Sequence, residues 1–284
     1  MQKILLTGAS GFLGTAISNV FSDDYDLIRH THTRGGDGHV AADLRDADAC
    51  RQLVEEVQPD VLIHPAAYRD PDFCELNPEE SKRLNVDSVE HLRAALRPDA
   101  LLIYVSSDYV FSGENPPYRE VDPAGAVNLY GRQKMAAEQL AAQHPRHLIL
   151  RMPVLIGQDP VDTPGFITKM AQAIRDKTPR AIDDVLMRFP TWTDDVARAI
   201  RFLINADQQG VFHCSSEVGA TTYALHQMLA QHLGEDIQHL TPSSEVVVRP
   251  APRPRDAQLS PAKLNALGFP GFHSLAEVLE SLHI

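Results

Sequence analysis

In the first half of the chain, short apolar runs alternate with longer stretches whose apolar residues recur at helical spacing. Lys3–Leu6, Asp26–Arg29, Val40–Ala41, Val61–His64, Leu101–Val105 and His147–Arg151 read as strands. Thr15–Phe21, Asp46–Val57, Pro78–Leu96 and Leu129–Gln143 read as helices, and Pro59 and Pro98 stand where a helix should stop before the next strand. Such alternation predicts an α/β fold, a Rossmann-type doubly wound parallel sheet. After Arg151 the alternation weakens. Thr163–Arg175 is an expected helix, and a second runs to Ile204 from a cap at Asp194 or Asp195. Val211–His213 is a strand, and Thr222–Leu233 and Pro261–Leu267 are helices, the latter opened by Ser260 and Pro261. The pattern divides the chain into a Rossmann domain over residues 1–155, with 191–214 returning to it, and a smaller lobe from 156–190 and 215–284.

Composition narrows the chemistry. A formal net charge of -12 argues against nucleic acid or an anionic membrane as the main partner. No apolar run approaches the ~20 residues of a membrane span, and the amino terminus enters a strand without a basic-then-apolar leader. Cys50, Cys74 and Cys214 are too few and too widely spaced for a disulfide framework or a zinc knuckle, which fits a reduced cytoplasmic compartment. The 13 histidines form no helical His-x-x-x-His pair beside an acid, so no metal is expected.

Two stretches carry candidate chemistry. Thr7-Gly-Ala-Ser-Gly-Phe-Leu-Gly14 lies between the first strand and the first helix, the context that makes a glycine fingerprint credible as a dinucleotide site. Gly8 permits the turn, Gly11 lets backbone N–H groups reach a pyrophosphate, and Gly14 lets helix pack on strand; Ser10, Phe12 and Leu13 complete the cradle. An acid after the second strand would hold the ribose of NAD. Here Arg29-His-Thr-His-Thr-Arg34 has none, so Arg29 and Arg34 point to the 2′-phosphate of NADP(H), the alternative being solvated loop charges. Asp43 could accept from the adenine amino group or cap the Asp46–Val57 helix. The second stretch is Asn128-Leu-Tyr-Gly-Arg-Gln-Lys134, where Tyr130 and Lys134 share one helical face. A lysine there is expected to lower the phenol below its usual pKa of about 10 and ready it for proton transfer. Ser106 and Ser107 end the preceding apolar run and could offer a hydroxyl to the same carbonyl oxygen. Farther on, Val248-Arg-Pro-Ala-Pro-Arg-Pro-Arg255 gathers arginines as a diphosphate clamp or as a stiff surface connection, with Arg253 the candidate contact.

TGASGFLG, AADL, HPAAY at 64–68, YVSSDYVF and YGRQK occur in the order found in extended short-chain dehydrogenases/reductases. SSDYVFSGENPPYREVD, NVDSVEHL, RFPTWTDDVARAI and RPRDAQLSPAKL resemble the dTDP-4-dehydrorhamnose reductase family over nearly the whole chain. AYRDPDFCELNPEESKRLNVD and NPPYREVDPAGAVNLYG resemble a branch of it, the methionine adenosyltransferase beta subunits. The resemblance implies that Ser107 is the catalytic hydroxyl, Tyr130 the proton donor, and Lys134 the residue that holds the nicotinamide ribose and tunes Tyr130. It also places Asp43, Leu44, Ala66, Ala67 and Tyr68 along the cofactor and Asp108 and Tyr109 near a sugar. Two departures are visible. Met152-Pro-Val-Leu-Ile156 stands where the sugar reductases usually carry a Trp, and Arg69 stands beside the cleft, facing an anionic substrate or paired with Asp70 or Asp72. The implied activity is NADPH-dependent reduction of a keto group on a nucleotide-linked deoxysugar. The implied alternative is an NADP-binding regulatory subunit docked on a partner enzyme, and a homodimer is also compatible.

Overall fold

The computed structural model describes residues 1–21, 24–32, 38–159, 164–245 and 248–282. Six apolar runs are strands where the pattern puts them: β1 (Lys3–Leu6), β2 (Asp26–Thr31), β3 (His39–Ala41), β4 (Val61–His64), β5 (Leu101–Val105) and β6 (His147–Arg151). With Gly210–His213 they form one seven-stranded sheet, ordered Gly210–His213, β6, β5, β4, β1, β2, β3, with every pair parallel. The order reverses at β1, between β4 and β2. A crevice therefore opens beyond the carboxyl ends of β1 and β4, where doubly wound sheets bind their ligands.

The helices of the first half are α1 (Phe12–Val20), α2 (Ala47–Val57), α3 (Pro71–Leu76), α4 (Pro78–Lys82), α5 (Ser88–Ala95) and α6 (Leu129–Ala141). Successive strand residues face opposite layers. Ile4, Leu6, Ile63, Ile103 and Leu150 pack on one side with Leu13 and Ile17 of α1 and Val196 and Ile200 of the Thr193–Asn205 helix. Leu5, Leu62, Leu102, Tyr104 and Ile149 pack on the other with Leu53, Leu92 and Ala137 of α2, α5 and α6. Each Leu or Ile buried in this way stabilises the fold by about 1.5–3 kcal/mol. Covering both faces explains why the strands read as unbroken apolar runs rather than alternating ones.

A separate core joins Ile156, Ile167, Met170, Ile174, Leu225, Leu229, Leu240, Val278 and Leu279. It draws on the Phe166–Arg175, Thr222–Leu233 and Leu275–Ser281 helices. Leu264 and Phe269 instead join the core beneath the large sheet.

Several elements differ from the expected ones. The helix expected over Pro78–Leu96 passes from α4 through a π turn at Arg83–Asp87 into α5. Neither Asp194 nor Asp195 caps the Thr193–Asn205 helix: Trp192 holds the cap position, and Asp195 is buried, accepting from the His273 backbone N–H at 2.6 Å. Ser260 is not the cap of the Ala262–Ala266 helix, since Pro261 stands there. Met152 is buried in the core, so no aromatic replaces the missing Trp at that position. The three cysteines are free and buried. No helix among the described residues is long and apolar enough to cross a membrane.

Candidate active site

Tyr130, Lys134 and Ser107 come together through the start of α6 and the turn after β5. Beyond Val105 the chain breaks into a short 3₁₀ turn, Asp108–Val110, which Ser107 caps by accepting from Tyr109 N–H at 3.2 Å. The Ser107 hydroxyl donates to Asp108 Oδ1 at 2.9 Å. Asn128 caps α6, accepting from Gly131 N–H at 2.8 Å and donating to Pro252 O at 2.8 Å. Gly131 lets the helix lie directly on the turn, because a Cβ there would sit deep inside contact with Tyr109 O. This docking brings the Tyr130 phenol beside Ser107, with the Tyr109 ring edge-on at 5.8 Å. One helical turn on, Lys134 is 3% exposed and donates to Val105 O at 3.0 Å. Its Nζ lies 5.0 Å from the Tyr104 ring centre and 5.8 Å from that of Tyr130.

Burial governs the titration of this cluster. It pushes the Tyr130 phenol above its usual value, and the Ser107 hydrogen bond only partly opposes it. The expectation of a lysine-depressed phenol is therefore corrected: the Lys134 ammonium is engaged with Val105 O, and desolvation of a phenolate outweighs its influence. Burial brings Lys134 down to about 8, against the opposing charge of Glu138. It raises Asp108 to about 6, opposed by Ser107 and the Arg188 guanidinium.

At the switch point, Gly8 adopts φ +58° and Gly11 N–H donates to Gly8 O at 2.9 Å. A Cβ on Gly14 would overlap Gly8 O, so the close approach of α1 to the turn requires glycine there. Gly11 occupies the amino cap of α1 without a side-chain cap, leaving first-turn N–H groups for an anion. Ser10 is exposed, whereas Phe12 and Leu13 turn inward. These features fit a dinucleotide pyrophosphate. Ala66 Cβ lies 3.1 Å from where a Gly8 Cβ would be, which sets Ala66 against the turn, with Ala67 and Tyr68 following it in the chain. The π turn presents Asn85 to this segment: its side chain accepts from Tyr68 N–H at 2.8 Å and donates to Tyr68 O at 3.0 Å and Gln133 Oε1 at 2.9 Å. Sequence reasoning missed both Asn85 and Gln133. A helix one residue longer than its period is not visible in an apolar pattern.

The adenosine end differs from expectation. Asp43 is neither cap nor free acceptor: Asp46 caps α2, and Arg45 grips Asp43 with Nε at 2.9 Å and its terminal nitrogen at 2.9 Å. That pairing holds the Asp43 carboxyl down at about 2. Leu44 is buried in the core. Arg29 is half-buried on β2 opposite Leu6, and Arg34 lies outside the described residues. Arg45, with His32 Nε2 at 3.4 Å, is a cation that sequence reasoning passed over.

On the substrate side, the expected pairing of Arg69 with Asp70 or Asp72 is not found. Asp70 caps α3, Asp72 pairs with Arg253, and the Arg69 guanidinium lies 5.7 Å from the Phe12 ring centre. Arg253, 8% exposed at its side chain, reaches Asp72 at 2.9 and 3.0 Å, so the arginine expected as a free clamp is already engaged. Arg188 faces Asp108 and Tyr109. No cluster of metal-ligating residues occurs among the described residues.

The sequence model of the RmlD substrate binding domain matches residues 1–282. The methionine adenosyltransferase 2 subunit beta of Danio rerio is 35% identical over 280 residues, spanning 94% of this chain and 85% of the relative. The dTDP-4-dehydrorhamnose reductase of Mycolicibacterium smegmatis is 29% identical over 289 residues, spanning 98% and 84%. Among solved structures, a dTDP-4-dehydrorhamnose reductase from Clostridium acetobutylicum superposes with a TM-score of 0.89 at 27% identity, over 99% of this chain and 98% of that one.

Proposed function

The chain belongs to the RmlD substrate binding domain family, and from that premise we propose that it is an NADPH-dependent reductase of a keto group on a nucleotide-linked deoxysugar. The observation that carries the reading is the convergence of Ser107, Tyr130 and Lys134 on one buried spot beside the switch-point crevice. Its likeness to a reductase over nearly its full length supports it. NADPH oxidation by the protein alone, in the presence of nucleotide-linked 4-ketosugars, tests it.

NADPH, when bound, supplies the hydride. The glycine turn and the first turn of α1 hold the pyrophosphate through backbone N–H groups. Ser107 hydrogen-bonds the substrate carbonyl oxygen as it gains charge, and Tyr130 gives that oxygen a proton. Burial keeps the phenol protonated, the form a reductase needs. Lys134 holds the nicotinamide ribose. The lobe assigned to the sugar nucleotide, 156–190 and 215–284, is centred on the separate apolar core of the Phe166–Arg175, Thr222–Leu233 and Leu275–Ser281 helices, while Leu264 and Phe269 pack under the large sheet. Asp108 and Tyr109, faced by Arg188, are assigned to the sugar, and Arg69, beside the Phe12 ring, to an anionic part of the substrate. Greater identity to the adenosyltransferase subunit supports a second reading, a regulatory subunit that keeps the nucleotide site and docks on a partner enzyme.

NADPH is expected to bind at least tenfold more tightly than NADH, about 1.4 kcal/mol. The Arg29–Arg34 segment carries two arginines and no ribose-binding acid, the next acid being Asp37, and Arg45 adds a cation beside His32. Calorimetry showing equal affinities would contradict this.

Reduction should also fall on the alkaline side with a midpoint near 8. Lys134, lowered to about 8, carries its ammonium below that pH and loses it above. Groups facing it are Glu138 and Tyr130 on α6, Tyr104, His64 and Cys74, of which Glu138 holds the charged form. Lys134→Arg stays charged throughout and should lack this limb; an unmoved limb in that variant would assign it elsewhere.

A further inference from the structure

Behind the site, a buried network joins three elements that meet nowhere in the sequence. Ser106 Oγ donates to Glu138 Oε1 at 2.5 Å. Arg151, on β6, grips the same carboxylate with Nε at 2.9 Å and a terminal nitrogen at 2.7 Å. The Arg151 and Glu138 side chains are 8% and 10% exposed. The guanidinium also stacks 5.0 Å from the Phe111 ring centre and reaches Glu120 O at 3.4 Å. Glu138 stands one turn beyond Lys134 on α6, and Ser106 is the immediate neighbour of Ser107.

From this geometry we propose that Glu138, anchored by Arg151, is a positioning residue: through Ser106 it ties the serine turn to the Tyr130–Lys134 face of α6. The proposal rests on the reductase reading for the role of Tyr130. Without the tie, the hydrogen bonds that hold Ser107 are those of its own turn, to Asp108 Oδ1 and from Tyr109 N–H, and the backbone bonds Ser106 N–H to Leu150 O and Asp108 N–H to Met152 O. Those bonds fix the turn to β6, while α6 rests on it through the close Gly131–Tyr109 approach, the Tyr109–Tyr130 ring contact and the Lys134–Val105 O bond. The Ser106–Glu138 bond adds a directional side-chain hydrogen bond between the turn and the helix that bears the phenol. A largely buried ion pair with a third hydrogen bond on one carboxylate oxygen is also a rigid anchor, since each partner is costly to leave unpaired.

The test is Ser106→Ala, which removes the tie and leaves the Glu138–Arg151 pair intact, with Ser106→Thr as the conservative rescue. In the NADPH-bound protein, Ser106→Ala should lose about tenfold in kcat with KM and NADPH affinity unchanged, as expected for a small misplacement of a reacting group. Ser106→Thr should recover most of it. In parallel, tyrosine labelled with ¹³C at Cζ reports on Tyr130, assigned by Tyr130→Phe. Its resonance should move in Ser106→Ala and return in Ser106→Thr. Wild-type kcat and an unmoved Tyr130 resonance in Ser106→Ala would overturn the proposal. If the wild-type protein turns over no ketosugar, the reductase reading fails on its own, and the resonance still decides the network: movement with rescue upholds the tie, and none refutes it.

Discussion

Tyr130→Phe is expected to lower kcat by roughly 10²–10⁴-fold while leaving NADPH binding nearly unchanged. In the proposed mechanism the phenol is the acid whose proton reaches the carbonyl oxygen, whereas backbone at Gly8–Gly14 would hold the cofactor's phosphates. The ring is buried and packs edge-on against Tyr109, and phenylalanine retains that shape, so the fold should survive. Steady-state kinetics beside calorimetry separates the two effects. A Phe variant that keeps most of its kcat would show that another group donates the proton, and Asp108, raised to about 6, would then be the first to examine.

Gly131→Ala should damage both stability and turnover, although it changes one hydrogen to a methyl one residue from the phenol. The added Cβ would overlap Tyr109 O and approach Ala126 Cβ to 2.8 Å. Neither neighbour can yield cheaply: one is backbone of the Ser107-capped turn, and the other leads into the Asn128 cap. Overpacking of this kind costs about 1–3 kcal/mol. Pushing α6 off the turn also separates Tyr130 from Ser107, and displacement on the order of 1 Å can cost ~10²-fold in rate. Denaturant melts and kcat should fall together. A variant with wild-type stability and turnover would mean that helix and turn do not depend on this contact.

The sheet was legible because both its faces are covered. Strands buried twice appear as unbroken apolar runs, and Val61–His64, Leu101–Val105 and His147–Arg151 fall on the expected residues. The Tyr130–Lys134 spacing was legible for an equally local reason: i and i+4 share a helix face whatever the fold does. What could not be read depends on distant partners. Arg253 and Asp72 are 181 residues apart, and Asp195 and His273 are 78 apart, so local spacing suggested a clamp and a cap instead. The cap reading of Asp43 failed for the opposite reason. Its partner Arg45 is only two residues away, and a side chain folding back on its neighbour leaves no periodic signal. The direction of the Tyr130 shift required burial, which spacing does not report.

The reductase reading stands or falls on one measurement: NADPH consumption by the purified protein alone, against a panel of nucleotide-linked 4-ketosugars, with a methionine adenosyltransferase titrated in parallel. The reading expects turnover without any partner, abolished by Tyr130→Phe, and deuterium from [4-²H]NADPH recovered on the former carbonyl carbon. No turnover across the panel, together with a stoichiometric complex with the adenosyltransferase, would contradict it and assign the chain a regulatory role.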